Sequence, residues 1–254
     1  MIPKCAGKEY PMTVFVSSSP FIDGADRAIL NPQNEFVQRL QAVLPPNPRA
    51  LFICSNPEDH SGTCRFGADA VSAFAMEGMA FSSYHILDGE NQADAPYLIA
   101  DSDLIILAGG HVPTQLNFFR QIHLRELLED YGGTVLGISA GSMNMAEEVY
   151  IQPEEPGESV PSFQRFAEGL GLVNVSILPH YQKARHYMLD GKRLYEDITF
   201  ADSMGHTFFA LPDGSYFFQD EDGLLLCGRA FRIQNSILEL LTIDEEVMDM
   251  EKLI

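Results

Sequence analysis

The feature that most constrains the fold of this chain is an alternation of short apolar runs with longer amphipathic stretches, sustained from Thr13 to Glu148. Thr13–Val16, Ala50–Ser55, Ser82–Leu87, Asp103–Leu107 and Thr134–Ile138 read as strands. Between and after them, Asn34–Leu44 (with Phe36, Val37 and Leu40 on one face), Gly67–Gly78, Gln115–Asp130 and Ala140–Glu148 read as helices. Strands without polar alternation are buried on both faces, and helices between them supply the cover. The reading is an α/β fold with a parallel-core sheet and helices on both faces.

Beyond Glu148 the texture changes. Gln152–Pro161 holds three prolines and three glutamates and reads as a loop. Leu172–Leu178 is a further strand, ending at Pro179-His180-Tyr181, and a helix is expected over Tyr181–Tyr195. Thr207–Leu211, Ser215–Gln219, Gly223–Cys227 and Ala230–Ile233 then read as a C-terminal antiparallel meander, with turns at Pro212-Asp213-Gly214 and Asp220–Gly223. No repeat or linker divides the sequence, so one domain over residues 1–254 is expected.

Composition narrows the function. A net charge of −20 argues against nucleic acid or an anionic membrane as partner. No apolar run approaches membrane-spanning length and the start lacks an apolar signal segment, so a cytoplasmic protein is expected. The four cysteines (Cys5, Cys54, Cys64, Cys227) show no Cys-x-x-Cys spacing. Cys54 and Cys227 read as buried thiols, and neither a disulfide framework nor a metal or other cofactor is expected.

The chemistry concentrates at Gly137-Ile138-Ser139-Ala140-Gly141, where an apolar strand meets a helical pattern. Gly-x-Ser-x-Gly in that context is a nucleophile elbow. The glycines permit close approaches that a side chain forbids, and the following helix aims its first N–H groups where an oxyanion would form. A serine hydroxyl needs a base, and of seven histidines His180 is the strongest candidate, because it directly follows a strand and shares the sheet edge with Ser139. His206 is the fallback, and His111 follows Gly109-Gly110 toward the same crevice. The acid that orients the base is sought among Glu154, Glu155 and Glu158 on the loop after the elbow helix, with Asp213 as rival; Glu154 is favoured. The N–H groups of Gly110 and Ala140 are the expected oxyanion hole.

Taken together, Leu107-Ala108-Gly109-Gly110, Gly137-Ile138-Ser139-Ala140-Gly141-Ser142, Leu178-Pro179-His180-Tyr181 and Leu211-Pro212-Asp213-Gly214-Ser215 resemble the peptidase E and cyanophycinase family of serine peptidases. The resemblance spans about Met12 to Ile237. It implies a class I glutamine amidotransferase-like fold, a flavodoxin-like three-layer sandwich with serine in place of the elbow cysteine. It also implies Ser139 as nucleophile and His180 as base. It points to Glu154 as the acid and keeps Asp213 as the alternative. Family members cleave aspartyl dipeptides or the aspartate–arginine linkages of cyanophycin. The chain departs from the family at His111–Gln115, where a polar segment is usual after Gly-Gly, and in its reduced basic cluster of Lys183, Arg185 and Arg193. Both segments would face the substrate, which makes His111, Gln115 and Arg185 the expected substrate-binding residues.

The leading expectation is a metal-independent serine peptidase acting on a small peptide or isopeptide. Glutamine amidotransferase chemistry would need a cysteine at position 139. An α/β-hydrolase esterase would place its Gly-Gly loop far upstream, and a non-catalytic binding or regulatory protein on the same scaffold is the remaining alternative. The exposed edge of the meander could pair with a second copy, leaving a homodimer open.

Overall fold

A computed structural model of the chain describes residues 12–253. Five strands, Thr13–Ser17 (β1), Arg49–Ile53 (β2), Ser83–Leu87 (β3), Leu104–Leu107 (β4) and Thr134–Ile138 (β5), run parallel in the order β1-β5-β4-β2-β3. Successive side chains enter opposite layers, as the two-residue period of a strand requires. Val14, Val16, Leu51, Ile53, Ile105, Leu107 and Val135 face one core. Phe15, Phe52, Ile106, Leu136 and Ile138 face the other. Phe36–Val43 (α1) and His60–Met76 (α2) cover the second core with Phe36, Leu40, Ala70 and Phe74. Ala95–Ala100 (α3), Val112–Gln121 (α4) and Leu124–Leu128 (α5) cover the first. The three-layer sandwich thus follows from continuous apolar strands, and all five expected core strands are present.

The helix after β5 is one turn, Ala140–Met143 (α6), rather than the expected run to Glu148. Its continuation is blocked because the carbonyls of Asn144, Met145 and Ala146 accept the N–H groups of Leu170, Leu172 and Gly171. The chain then forms Glu148–Tyr150 (β6) paired with Phe166–Glu168 (β7), and reaches Ser176–Leu178 (β8). Likewise the helix expected over residues 181–195 is only Tyr181–Ala184 (α7). A hairpin of Met188–Leu189 (β9) and Lys192–Arg193 (β10) replaces the rest. Its turn, Asp190-Gly191, has φ of 50° and 78°. An Asp-Gly pair is a strong signal for such a two-residue turn, and it outweighs the helical spacing around it.

The tail divides between two sheets instead of forming one meander. Thr207–Ala210 (β11) pairs in parallel with β8. Tyr216–Asp220 (β12) and Gly223–Cys227 (β13) extend the main sheet antiparallel beyond β1. Ala230–Gln234 (β14) and Ile237–Thr242 (β15) return to β11, making a second sheet ordered β15-β14-β11-β8, and Val247–Asp249 (β16) goes back to β13. The turn Pro212-Asp213-Gly214 is therefore the point where the chain crosses from one sheet to the other. The exposed edge is β15, with Ile237 and Leu240 in solvent. No helix among the described residues is long and apolar enough to cross a membrane.

Candidate active site

Ser139 sits at the carboxyl end of β5 with φ 52° and ψ −112°, a conformation that a residue with a Cβ adopts only when its surroundings impose it. Here they do. A Cβ on Gly141 would stand 2.3 Å from the Leu107 carbonyl oxygen, and one on Gly137 would stand 2.7 Å from the Ser142 backbone. The Ser139 N–H donates to the carbonyls of Ser17 and Ser18 at the end of β1, at 3.2 and 3.1 Å. The elbow is thus bolted to two neighbouring strands, and its hydroxyl stands clear of the sheet.

His180 arrives from the second sheet. Leu211 N–H donates to Leu178 O, and Tyr181 N–H donates to Leu211 O, so the segment after β8 and the segment after β11 leave side by side. The first carries His180 and the second Asp213. His180 Nε2 lies 2.9 Å from Ser139 Oγ, and Nδ1 lies 2.7 Å from Asp213 Oδ1. The same Oδ1 accepts the Ser18 hydroxyl at 2.9 Å, and Oδ2 accepts Gln182 Nε2 at 2.6 Å. Ser18 Oγ in turn accepts the His180 N–H at 2.8 Å, while Gln182 Oε1 accepts the Asp213 N–H at 3.1 Å. Burial alone would raise the Asp213 carboxyl, but the hydrogen bonds from His180, Ser18 and Gln182 outweigh it and hold it below the usual carboxylate range. An ionised Asp213 requires a proton on Nδ1, which leaves the Nε2 lone pair to accept from Ser139.

Glu154, the acid favoured from sequence, does not bond His180. It lies across a hollow of about 560 Å³ whose lining includes His180, Pro153, Lys183, Tyr187 and Leu194. Although its side chain reaches solvent, the surrounding walls partly desolvate it and push its carboxyl up to about 6, with Glu158 adding and His111 and His180 opposing. The loop folds on itself, because Glu158 Oε2 accepts the N–H groups of Glu154 and Glu155 at 2.9 and 3.0 Å. The Nδ1 side of His180 is taken by Asp213. His206 is also remote from this chemistry, with its Nδ1 3.1 Å from Glu148.

The Gly109-Gly110 turn lies against the elbow, a Cβ on Gly109 falling 3.4 Å from Ser139 Cβ. Gly110 has no room for a side chain, because a Cβ there would stand 2.3 Å from Ser55 Oγ. Ala140 is buried and is the first residue of α6, so its N–H points out of the helix end without an intrahelical acceptor. Gly109, which precedes Gly110, and Ala140 thus adjoin Ser139 from two separate segments.

The expected substrate contacts divide. His111 is half-buried against the glutamate loop, its Nδ1 2.8 Å from Thr114 Oγ1 and its Nε2 3.2 Å from Glu158 Oε1. Gln115 is not in the crevice at all: it is fully buried, and its amide donates to Ala108 O at 2.8 Å. The first turn of α4 rotates its side chain inward, which removes it from any substrate. Arg185 is exposed outside the hollow, bonded to His186 and lying over the Tyr181 ring; Lys183 lines the hollow but is paired with Asp23. His111, Glu155 and Glu158 each offer a ligand atom within 4.8 Å of the others, a grouping able to contact a cation. Cys54 and Cys227 are buried free thiols, that of Cys54 pushed up to about 12 by burial, and Cys5 lies outside the described residues.

Two participants escaped the sequence reading. Ser18 stands in Ser17-Ser18-Ser19 at the carboxyl end of β1, where ligands of such sheets gather, and that position was a usable signal. Gln182 carried none.

Residues 25–226 match the model of peptidase family S51. The chain belongs to that family. It is accordingly a serine-type peptidase, a hydrolase. Its fold is similar to that of a protein provisionally named peptidase E from Listeria monocytogenes EGD-e, with a TM-score of 0.57 and 17% identity over 91% of this chain and 99% of that one. No curated protein matches the chain. An S51 peptidase with serine at the elbow agrees with the fold and enzyme class expected from the motifs.

Proposed function

We propose that this S51 peptidase, acting as a single α/β unit, hydrolyses a short peptide or isopeptide through an acyl-enzyme formed on Ser139. The observation that carries this reading is the unbroken chain Ser139 Oγ–His180 Nε2, His180 Nδ1–Asp213 Oδ1 at 2.9 and 2.7 Å. His180 takes the Ser139 proton as Oγ attacks the scissile carbonyl. The imidazolium that results is stabilised by ionised Asp213, which stays a carboxylate throughout. The N–H groups of Gly110 and Ala140 receive the oxyanion of the tetrahedral intermediate. His180 then gives its proton to the leaving amine, the C–N bond breaks, and the acyl group remains on Ser139. Water, deprotonated by the same imidazole, attacks the ester and returns the enzyme.

Asp213 is the third member in this proposal, because it alone of the candidate acids meets Nδ1. The hollow beside His180 has the dimensions of a site for a ligand of a few residues. In this proposal Glu154, which lines the hollow, and His111, which is bonded to Glu158 of the same loop, contact the substrate. Aspartyl-dipeptide-like and cyanophycin-like linkages are the two substrate classes to which the family resemblance points.

A fluorophosphonate probe tests the mechanism without knowing the substrate. Labelling is expected on wild type and expected to vanish in Ser139→Ala and His180→Ala. Labelling that persists in Ser139→Ala refutes the nucleophile. A dipeptide library including α- and β-aspartyl linkages then identifies the substrate.

A further inference from the structure

We propose that the buried amide pair Gln115–Asn144 is a positioning device that sets the separation of the two oxyanion donors. This rests on the peptidase reading above and goes beyond it, because the two donors belong to different segments. Gly110 is on the turn between β4 and α4, whereas Ala140 begins α6. Nothing in the backbone ladder joins the turn to that helix. The ladder ends just short of it: Ala108 N–H donates to Ile53 O and Cys54 N–H donates to Leu87 O. The next two carbonyls, Cys54 O and Ala108 O, have outrun the strands.

Gln115 closes that end. Its Nε2 donates to Ala108 O at 2.8 Å and reaches Cys54 O at 3.4 Å, so one amide pins the residue immediately before Gly109. Its Oε1 accepts Asn144 Nδ2 at 3.0 Å, and Asn144 Nδ2 also reaches Val112 O at 3.2 Å. Asn144 caps α6, its N–H donating to Ala140 O at 2.9 Å. The path from one donor to the other therefore runs Gly110, Ala108 O, Gln115, Asn144, Ala140 O. Gln115 and Asn144 are both fully buried.

The orientation of both amides is forced. Two carbonyls face Gln115 Nε2, so that end must be the NH₂; Oε1 then faces Asn144, which must present its own NH₂. Asn144 Oδ1 is left buried without a hydrogen-bond partner. Such an orphan acceptor costs stability, and it persists here because turning the amide over would break both links to α4. A network that tolerates an unsatisfied oxygen to keep one geometry is what positioning requires.

The test measures the second-order rate of fluorophosphonate labelling of Ser139 in the full chain, since that reaction draws on the oxyanion donors but needs no known substrate. The proteins are wild type, Gln115→Met, Gln115→Glu, Asn144→Ala and the control Ser102→Ala. Ser102 is also buried and hydrogen-bonded, to Leu98 O, but lies at the opposite end of β4. Gln115→Met is expected to label about 10- to 100-fold more slowly, the loss that follows from moving one donor out of line. Asn144→Ala, which removes only the bridge to α6, is expected to slow labelling as well and carries the test if Gln115→Met does not fold. Ser102→Ala is expected to stay within about threefold of wild type, as a distant site should. In Gln115→Glu a carboxylate faces two carbonyl oxygens, whereas its protonated form donates to one of them. Its rate relative to wild type is therefore expected to rise as pH falls, and a packing defect alone leaves that ratio flat. Folded Gln115 and Asn144 variants that label at the wild-type rate overturn the proposal while leaving the peptidase reading intact. Wild type that fails to label overturns both.

Discussion

Replacing Asp213 by Asn is the sharpest perturbation of the proposed triad, because the surrounding bonds leave an amide no good orientation. Oδ1 accepts from His180 Nδ1 and the Ser18 hydroxyl, and Oδ2 accepts from Gln182 Nε2. If the Asn oxygen takes the Oδ1 place, its NH₂ meets the Gln182 NH₂. Turning Gln182 over would relieve that clash but lose the bond from the Asp213 N–H to Gln182 Oε1. If instead the NH₂ takes the Oδ1 place, it faces Nδ1 and drives the proton to Nε2, where it can no longer accept from Ser139. That wrong tautomer, together with the lost charge opposite the imidazolium, typically costs about 10⁴ in turnover, which corresponds to about 5 kcal/mol of barrier. Glu154→Gln is the matched comparison. Glu154 makes no bond to His180, so labelling by a fluorophosphonate is expected to stay within about threefold of wild type. The assay is the labelling rate of both variants at pH 8, followed by kcat on whichever peptide the library yields. Near wild-type labelling of Asp213→Asn combined with a hundredfold loss in Glu154→Gln would refute the assignment and return the role to Glu154.

Three further outcomes follow from the same geometry. Ser18→Ala removes the hydroxyl that holds both Asp213 and the His180 N–H, so labelling is expected to fall about tenfold and stability by about 1–3 kcal/mol, the cost of unsatisfied buried groups; unchanged labelling with a lowered melting temperature would make Ser18 structural only. Gly110→Ala pushes a methyl group onto Ser55 Oγ and must shift the turn. A loss of about 100- to 1000-fold in labelling is expected, as for removal of one oxyanion donor. For Glu154 the sign is set by a carboxyl raised to about 6 when folded, above its unfolded value. The folded state then holds more protons than the unfolded one between those values, so ionisation of Glu154 costs stability as pH rises through 6. Glu154→Gln is expected to gain melting temperature over wild type above pH 6 and to show no gain below pH 4; a difference independent of pH would refute it.

The core strands and the elbow were legible in the sequence because each is written locally. Val14, Leu51, Ile105 and Val135 lie in apolar runs that can only be buried, and Gly137 and Gly141 stand where no Cβ fits. His180 was legible as a histidine directly after a buried strand. That strand, β8, lies in the second sheet and not beside β5, so the approach of His180 to Ser139 comes from the packing of the two sheets and not from a shared sheet edge. The Asp190-Gly191 hairpin is equally local, but the apolar spacing around it also suits a helical face, and that spacing hides it.

The acid was a different kind of question. Glu154 and Asp213 are both polar residues on loops, and nothing within a few residues of either tells which one meets Nδ1. That depended on β11 and β12 joining different sheets, so that the turn between them crosses from one to the other beside His180. Gln115 shows the same division: its position after Gly-Gly suggested substrate contact, and the rotation of α4 sent it inward to Ala108 O and Asn144. Residues whose role comes from burial or a neighbouring glycine declare it in the chain itself. Those whose role comes from which strands pair, or which way a helix face turns, acquire it only once distant segments have packed.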